Sequence, residues 1–475
     1  MNEADRAAAA AGTPGSVLMQ NAGNAVVREI TRRWSPRPVT VLCGPGNNGG
    51  DGFVVATALA EAGWPIRVAL LGKRERLRGD AHFHAMRWSG GVEALTPAAI
   101  ERAALVVDAL FGSGLNRTLE PEVLETLSAA AKLGLPLVAV DVPSGVMGDT
   151  GESVGAVAAV CTVTFARKKP GHVLLPGRDL CGEIVVADIG IPATVLESLS
   201  IDSWENDPSV WRSQLPRATA SSNKYTRGHA LLYGGYPMTG ASRMAARAAA
   251  RVGAGLTTIA VPSVAFSIYA AALTSVMVQP LTLEGDLARL LGDSRYTAFL
   301  IGPGAGVSDA TRKSALQILA LARPVLLDAD AISVFAGKAV ELARAIRGPC
   351  VMTPHDGEFA RVFDPRTDKL SRARTAARQS GAIIVLKGAD TVIAAPDGRA
   401  AVNTNAPANL ATAGSGDVLG GLILGLLAQG MEAFAAAAAG VWIHSAAAAR
   451  FGPGLIAEDL PELVPAVLRE LDQGP

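Results

Sequence analysis

The sequence has no excess of either charge. Lys and Arg together number 43, as do Asp and Glu, so the formal net charge of the 475-residue chain is zero at pH 7. Proteins that bind the phosphate backbone of nucleic acids usually carry a basic excess, so we expect no nucleic-acid partner. Charged residues are only 18% of the chain and apolar residues 49%, which excludes long disordered regions. At roughly 150 residues per domain, the length predicts two to three folded domains.

Cysteine and long apolar runs are also scarce. The four cysteines, Cys43, Cys161, Cys181 and Cys350, are far apart and form no C-x-x-C pair, which disfavours a disulfide framework or a structural zinc and indicates a reducing compartment. The best candidate for a membrane span is the uncharged stretch 252–283, but Pro262 and Pro280 interrupt it, so we do not expect it to span a membrane. The N-terminal residues lack the apolar core of a signal peptide. We therefore expect a cytoplasmic protein that has no membrane partner.

Short apolar runs alternate with helical stretches through most of the chain. Continuous apolar strands between helices are typical of a parallel sheet covered on both faces, so the sequence predicts an α/β fold. The pattern breaks off between about residues 192 and 222, which predicts a domain at 1–205, a linker at 206–222 and a domain at 223–475. The predicted strands are 39–43, 66–71, 105–108, 137–141 and 161–165 in the first domain, and 229–233, 256–261, 298–301, 325–328, 350–353 and 383–387 in the second.

A glycine-rich segment follows the first predicted strand. Residues 44–49 satisfy G-x-G-x-x-G, a pattern found in dinucleotide-binding folds. However, Asp51 places a carboxylate where a pyrophosphate would lie, and Gly-Lys-Arg at 72–74 replaces the acidic residue expected after the second strand. We therefore interpret 47–51, ahead of a helix from Phe53, as a loop that recognises hydroxyls, amides or a cation. The alternative is a tight strand-to-helix turn without a binding role.

Two further predicted strands end in aspartate, at Asp108 and Asp141. A lone aspartate after a strand is usually a cap or a turn former. In an open parallel sheet, however, the carboxyl ends of the strands share one edge, so these aspartates are expected to converge with the 47–51 loop. Asn48, Asp108 and Ser144 offer only oxygen ligands and a single charge, which suits a monovalent cation better than zinc.

A second glycine motif lies near the C-terminus, where Gly-Ser-Gly-Asp at 414–417 leads into an apolar helix. Backbone N–H groups and the helix dipole at such a position attract an anion. Asp417, next to that anion site, could take a proton from a hydroxyl while the backbone holds a transferring phosphoryl group. The motif resembles the ribokinase-like superfamily, with Asp417 as the base. The alternative is a purely structural helix start.

These motifs carry a more specific resemblance. Residues 18–192, with Leu-Met-Gln-Asn-Ala-Gly at 18–23 and Asp-Ile-Gly-Ile-Pro at 188–192, resemble the epimerase domain of the NAD(P)H-hydrate repair enzymes. Most of residues 218–475, with the segments 301–306, 326–331, 353–358 and 386–391, resemble the ADP- or ATP-dependent NAD(P)H-hydrate dehydratase. The resemblance implies a Rossmann-like three-layer N-terminal domain and a ribokinase-like α/β C-terminal domain.

The resemblance also implies two activities, those of an isomerase and a lyase. The N-terminal domain would interconvert R- and S-NAD(P)HX, the hydrated forms of NADH and NADPH. The C-terminal domain would dehydrate the S form to NAD(P)H at the expense of ADP, giving AMP and phosphate. K⁺ is implied for the epimerase, Mg²⁺ for the dehydratase and ADP as co-substrate, with ATP left open by the sequence. We also expect a homo-oligomer. The rival interpretations are a small-molecule kinase and a non-catalytic nucleotide-sensing module.

Family correspondence also assigns residues. Gln20 and the proline-containing segment 406–409 depart from the usual family pattern. The catalytic candidates are Asp141 and Asp417, and the potassium ligands would be Asn48, Asp108 and Ser144. The epimerase substrate residues would be Asn47, Asn48, Gly49, Gly50, Asp51, Gly112, Ser113, Gly114, Leu115, Asn116, Arg117, Thr118 and Asp141. The dehydratase substrate residues would be Ala254, Gly304, Gly306, His355 and Asp417, and the nucleotide residues Lys387, Gly388, Ala389, Asp390, Thr391 and Gly416.

Overall fold

The computed structural model describes residues 2–473. The chain divides into two compact units, the first ending at Ile201 and the second beginning at Asp202. Each unit has its own sheet and its own apolar core. Within residues 2–473, no helix combines the length and the apolar character that crossing a membrane requires. The expected homo-oligomer stays a prediction.

The first unit is built on a seven-stranded parallel sheet. Its strands lie in the order β3-β2-β1-β4-β5-β6-β7, so the chain reverses direction across the sheet between β1 and β4, where ligand crevices form in such folds. The strands are β1 (Val39–Cys43), β2 (Ile66–Leu70), β3 (Val92–Ala94), β4 (Leu105–Ala109), β5 (Leu137–Val140), β6 (Cys161–Phe165) and β7 (Glu183–Ala187).

Helices cover both faces of this sheet, which confirms the predicted three-layer, Rossmann-like architecture. Successive strand residues point to opposite faces. Val41 therefore packs in one buried cluster with Phe53, and Leu42 packs in the other with Leu127. The helices are α1 (Asn2–Ala10), α2 (Gly15–Arg33), α3 (Asn47–Glu61), α4 (Gly79–Arg87), α5 (Pro121–Lys132), α6 (Gly177–Leu180) and α7 (Ala193–Ser198).

The second unit contains a ten-stranded sheet in the order β11-β10-β9-β12-β13-β14-β15-β16-β17-β8. The strands pair in parallel except at β15–β16 and β16–β17, which are antiparallel. The strands are β8 (Ser203–Glu205), β9 (His229–Tyr233), β10 (Leu256–Pro262), β11 (Met277–Leu281), β12 (Ala298–Ile301), β13 (Val325–Leu327), β14 (Cys350–Met352), β15 (Ile383–Leu386), β16 (Val392–Ala394) and β17 (Ala400–Val402).

Two helices of the second unit, α16 and α17, form the centre of its core. α16 is buried at every position from Val418 to its end, and α17 is buried over most of its length, so apolar residues surround both helices. Residues 434–449 therefore pack within the core of the second unit. The helices are α8 (Thr239–Arg251), α9 (Phe266–Ala272), α10 (Asp286–Gly292), α11 (Asp309–Leu319), α12 (Asp330–Ser333), α13 (Ala339–Ala345), α14 (Asp356–Val362), α15 (Lys369–Ser380), α16 (Ser415–Ala428), α17 (Ala433–Phe451) and α18 (Leu460–Gln473).

All the strands predicted from the sequence are present, and their ends agree to within one residue. The start of α3 is a correction, because the helix begins at Asn47 and not at Phe53. Residues 47–51 are therefore the first turns of a helix and not a loop. Glycine is a poor helix former, but a Cβ at Gly49 would lie 1.9 Å from the carbonyl oxygen of Gly44. The close packing of the helix start on the preceding turn thus explains the glycine there.

The predicted linker at 206–222 is also a correction, since its first part belongs to the second unit. β8 pairs in parallel with β17, and Asn206 is buried. Trp211 is fully buried in the core of the second unit, and its indole N–H donates to Asn206 Oδ1 at 3.2 Å. Prolines and polar residues interrupt the hydrophobic periodicity here, so the sequence pattern predicts a linker although the segment belongs to the core.

We predict that Trp211→Ala destabilises the second unit by about 3–5 kcal/mol, the usual cost of truncating a buried tryptophan. Gln214→Ala, a change at an exposed neighbour, is the matched control and should be nearly neutral. Urea unfolding followed by circular dichroism measures both variants. Equal stability of the two variants would contradict the assignment of this segment to the core.

Candidate active sites

A cavity of about 490 Å³ opens in the first unit, beside the carboxyl ends of β1, β4 and β5. It brings together most of the predicted epimerase residues. Of the others, Gly49 and Gly50 are buried at the start of α3, and Thr118 is exposed outside the cavity lining. The predicted residues that line it are Asn47, Asn48, Asp51, Gly112, Ser113, Gly114, Leu115, Asn116, Arg117 and Asp141, and unpredicted ones include Asp5 and Lys169.

Gly112 lies where Asn48 and Asp141 approach each other. A Cβ at this position would lie 3.0 Å from Asp141 Oδ2 and 3.2 Å from Asn48 Oδ1. Glycine thus gives the two polar side chains room to converge on the cavity. Asp141 and the start of α3 thus converge on the cavity as predicted, whereas Asp108 lies within β4 and is not among the residues that line the cavity.

Asp141 follows β5 directly and has a left-handed backbone, with φ at 68°. Its Oδ1 accepts from Lys169 Nζ at 2.6 Å and from Thr164 Oγ1 at 2.9 Å, while Oδ2 accepts from Ser113 N at 2.8 Å. Burial alone would raise the pKa of Asp141, but the Lys169 charge and these hydrogen bonds outweigh burial and lower it below its ordinary value. Asp141 is therefore a carboxylate at neutral pH.

Lys169 is a site residue that the sequence did not reveal. It lies four residues beyond the end of β6, and β6 pairs in parallel with β5. The carboxyl ends of neighbouring parallel strands meet at one edge, so the sheet order would have placed Lys169 beside Asp141.

The pKa of Asp51 is shifted in the opposite direction to the pKa of Asp141. Its side chain is buried in α3 and lines the same cavity. Burial, with the charges of Asp141 and Asp5 adding to it, raises the pKa of Asp51 well above its ordinary value. Burial also raises the pKa of Asp5, which faces the cavity from α1. The cavity therefore holds two carboxyl groups whose pKa values are shifted in opposite directions, that of Asp141 downward and that of Asp51 upward.

The predicted cation ligands lie close to this cavity. Asp108 is buried, and its oxygens accept from Ser144 N at 2.7 Å and from Ser144 Oγ at 2.6 Å. Burial raises the pKa of Asp108, and these hydrogen bonds offset only part of the rise. Asn48 Nδ2 is buried without a hydrogen-bond partner. A buried carboxyl group whose partners are neutral donors fits a nearby cation, which would favour its ionised form. Residues 2–473 hold no cluster of three His, Cys, Asp or Glu residues that could bind a metal.

In the second unit, a cluster of charged side chains lies at the carboxyl ends of β13, β14 and β15. Lys387 Nζ lies 3.1 Å from Asp328 Oδ1 and 3.9 Å from Glu358 Oε2, and Thr353 Oγ1 donates to Asp328 Oδ1 at 2.8 Å. Burial opposes the charge on Lys387, but the neighbouring carboxylates prevail and raise its pKa. Asp328, Thr353 and Glu358 belong to motifs seen in the sequence but were not predicted as site residues.

Asp417 lies in the first turn of α16, after Gly414 with φ at 87°. Burial raises the pKa of Asp417 to about 7, the charge of Asp328 adds to the rise, and Lys387 opposes it. A Cβ at Gly416 would lie 3.5 Å from Lys387 Nζ, so the helix start faces the lysine. The structure thus brings Asp417, Gly416 and Lys387 together as predicted, with Asp417 poised to exchange a proton near neutral pH.

The other substrate candidates lie on loops at this edge. His355 caps α14. Its side-chain Nδ1 accepts from Gly357 N at 3.0 Å, and its backbone N–H donates to Glu358 Oε2 at 3.0 Å. The His355 side chain remains 56% exposed, so it can meet a ligand. Gly304 and Gly306 follow β12 with φ of 69° and 80°. Gly306 N donates to Asp330 Oδ2 at 2.8 Å.

The predicted nucleotide segment, Lys387 to Thr391, forms a turn between β15 and β16. Gly388 N donates to Thr391 Oγ1 at 3.1 Å, and that hydroxyl donates to Gly388 O at 2.7 Å, with Ala389 between them. Asp390 pairs with Lys369 Nζ at 2.5 Å. The turn is therefore fixed by its own hydrogen bonds and by α15.

Ala254 is a correction, because the structure does not bring it to this cluster. It precedes β10 and thus lies at the amino end of a parallel strand, whereas the cluster lies at the carboxyl ends. Two positions depart from the family pattern. Gln20 Nε2 donates to Asn24 Oδ1 on α2, and Gln20 does not line the large cavity. Asn409 Nδ2 donates to Gly452 O, just after α17.

Comparisons with known proteins identify the families that the two units match. Residues 15–171 match the family described as YjeF-related protein N-terminus, and residues 230–463 match the family NAD(P)H-hydrate dehydratase. The chain is 38% identical to the bifunctional NAD(P)H-hydrate repair enzyme Nnr of Moorella thermoacetica, over 97% of this chain and 93% of that protein.

Solved structures give the same result for the fold. The chain resembles the ADP/ATP-dependent NAD(P)H-hydrate dehydratase from Bacillus subtilis, co-crystallised with ATP and Mg²⁺, with a TM-score of 0.51 and 29% identity over 57% of this chain and 100% of that one. A ribokinase-like superfamily protein from Enterococcus faecalis shares the fold, with a TM-score of 0.52 and 24% identity over 58% of this chain and 99% of that one. This chain therefore belongs to the family of bifunctional NAD(P)H-hydrate repair enzymes, with a Rossmann-like unit followed by a ribokinase-like unit.

Proposed function

We propose that the protein repairs hydrated nicotinamide nucleotides at two separate active sites, one in each unit. The first unit interconverts the R and S epimers of NAD(P)HX. The second dehydrates the S epimer to NAD(P)H at the expense of ADP, giving AMP and phosphate. The observation that carries this proposal is that each unit places an aspartate at the carboxyl edge of its own sheet, and that the two differ in charge state.

Epimerisation needs a group that gives a proton and a group that takes one. The hydroxyl of the hydrate lies on a carbon next to the ring nitrogen, so the nitrogen lone pair expels it as water once it is protonated. The neutral Asp51 can supply that proton, and the ionised Asp141 can take a proton from the water that adds back to either face of the iminium ion. The cavity, at about 490 Å³, has the size of a small-molecule site.

For dehydration, Asp417 takes the proton of the substrate hydroxyl while the oxygen of that hydroxyl attacks the terminal phosphoryl group of ADP. AMP is displaced, and phosphate then leaves the carbon together with a proton from the neighbouring ring carbon, which restores the ring of NAD(P)H. The segment 387–391 and Gly416 would hold the nucleotide. Gly304, Gly306 and His355 would hold the hydrated ring.

Mg²⁺ and K⁺ both fit residues that are present. Mg²⁺ is usually bound by one or two carboxylates together with substrate phosphates. Asp328, Asp330 and Glu358, whose charges act on Asp417, supply such carboxylates, and the ion would neutralise charge on the transferring phosphoryl group. Asn48, Asp108 and Ser144 would hold K⁺, which would supply the positive charge that the buried Asp108 lacks.

We predict that Asp141→Ala abolishes interconversion of the epimers but spares consumption of the S epimer. Asp417→Asn should slow dehydration by about 10²–10⁴-fold, the usual contribution of a general base, and leave nucleotide affinity largely intact. Chromatography of NADHX epimers without nucleotide measures the first reaction, and recovery of NADH absorbance with nucleotide measures the second. Loss of both reactions in either variant would contradict separate sites.

The same assay separates the repair reaction from its rivals. A small-molecule kinase would leave a stable phosphorylated product, whereas the repair enzyme releases free phosphate and restores the nicotinamide absorbance. Comparing ADP with ATP tests the proposed ADP dependence. An unchanged rate in Asp417→Asn would favour the nucleotide-sensing alternative.

We predict an acid limb near pH 7 for dehydration. Because the pKa of Asp417 is raised to about 7, its carboxylate is lost below that pH, and kcat/KM should fall by about tenfold per pH unit there. Asp328→Asn removes a negative charge beside Asp417 and should move the limb to lower pH. Asp364→Asn, at an exposed ion pair elsewhere, is the control. An acid limb in the ordinary carboxyl range near 3.8 would contradict the assignment.

We predict that K⁺ stabilises the first unit through Asp108. Replacing tetramethylammonium chloride with KCl at constant ionic strength should raise the Tm of this unit, since an ion that binds only the folded state stabilises it. Asp108→Asn should abolish the increase and the K⁺ dependence of epimerisation, while dehydration in the same chain serves as the control. An equal rise in Tm in both proteins would refute the site.

A further inference from the structure

The ammonium group of Lys169 has no donor left for a substrate. An ammonium carries three N–H donors, and Lys169 Nζ contacts three acceptors: Asp141 Oδ1 at 2.6 Å, Thr164 Oγ1 at 2.7 Å and Phe165 O at 3.1 Å. Thr164 links Lys169 to Asp141 a second time, because its hydroxyl accepts from Lys169 and donates to the same Asp141 oxygen at 2.9 Å. The Lys169 side chain is only 8% exposed. Lys169 therefore acts on the cavity through Asp141.

The backbone of Asp141 is held from the same segment. Lys169 N donates to His172 Nδ1 at 2.8 Å, so the proton of this imidazole is on Nε2, which lies 2.8 Å from the carbonyl oxygen of Asp141 and donates to it. These bonds hold Asp141 in its left-handed conformation. Its Oδ1 is bound to Lys169 and Thr164, while Oδ2 faces Gly112 and Ser113, which line the cavity.

Among the described residues, two other carboxyl groups interact electrostatically with Asp141. These groups are Asp51 on α3 and Asp5 on α1, and the negative charge of Asp141 raises the pKa of both. His172 is neutral in this arrangement, since burial lowers its pKa. Arg117 also lines the cavity, but it pairs with Glu120 at 2.8 Å. Lys169 is thus the cation in contact with Asp141 among the described residues.

We propose that Lys169 is a positioning residue of the epimerase site, which holds Asp141 as a carboxylate and directs its Oδ2 to the substrate. The proposal rests on the proposed epimerase function. In the reaction, Asp141 Oδ2 receives a proton from the water that bonds to the ring carbon of the iminium ion. Asp51 has given its proton to the departing hydroxyl, so return of the proton from Asp141 to Asp51 completes the cycle without net change.

The test uses the full chain with Lys169→Gln, Lys169→Arg and the control Lys168→Gln, which removes the same charge from the exposed neighbouring lysine. Interconversion of purified NADHX epimers is followed by chromatography without nucleotide between acid and alkaline pH. Dehydration of the S epimer with nucleotide, measured on the same samples, reports the unaltered second site. Thr164→Val, which removes one donor to Asp141 and keeps the lysine, gives a milder perturbation that does not depend on the folding of the lysine variants.

Loss of an adjacent opposite charge should raise the acid limb of epimerisation by about 1–3 pH units in Lys169→Gln. The rate should recover at higher pH, and Lys169→Arg should keep the limb near that of the unaltered protein. Thr164→Val should shift the limb in the same direction by less. A loss of equal size at every pH, or an unmoved limb in Lys169→Gln, would overturn the proposal. Absence of interconversion by the unaltered protein would instead refute the epimerase function.

Discussion

A carboxylate inside a protein keeps its charge only where positive charge or hydrogen-bond donors compensate for lost water. The first unit has Lys169 in direct contact with Asp141 and, among the described residues, not with Asp51, so the pKa of Asp141 is lowered and the pKa of Asp51 is raised. The second unit has Lys387 beside Asp328, which leaves Asp417 only partly compensated. The positions of these two lysines therefore determine how the pKa values of the nearby aspartates are shifted.

The parallel sheets bring these lysines to their partners. Asp141 and Lys169 are 28 residues apart in the chain, but they follow the neighbouring strands β5 and β6. Asp328, Thr353 and Lys387 likewise follow β13, β14 and β15, which are adjacent in the second sheet. Each contact forms because the carboxyl ends of parallel strands lie at one edge. The charge state of each aspartate is therefore a consequence of strand order.

This dependence explains what the sequence could and could not predict. Strands buried on both faces appear as continuous apolar runs, so their positions were predicted to within one residue. Asp141 and Asp417 were found because each follows a strand or a glycine run. Lys169 carries no local pattern, and only the adjacency of β5 and β6 gives it a role. Trp211 was missed for a related reason, since it packs against Trp442 of α17, which lies about 230 residues away in the chain.

The two charge states suit the two proposed reactions. Epimerisation removes a hydroxyl and returns one, so the first site needs a group that donates a proton and a group that accepts one, and an ionised carboxylate alone could only accept. Asp51, whose pKa burial raises well above its ordinary value, would be the donor of that pair. Dehydration sends the hydroxyl oxygen away with phosphate, so the second site needs a base that can hold a proton and release it again near neutrality. A pKa of about 7 gives Asp417 that property, and a lysine in direct contact, as at Asp141, would remove it.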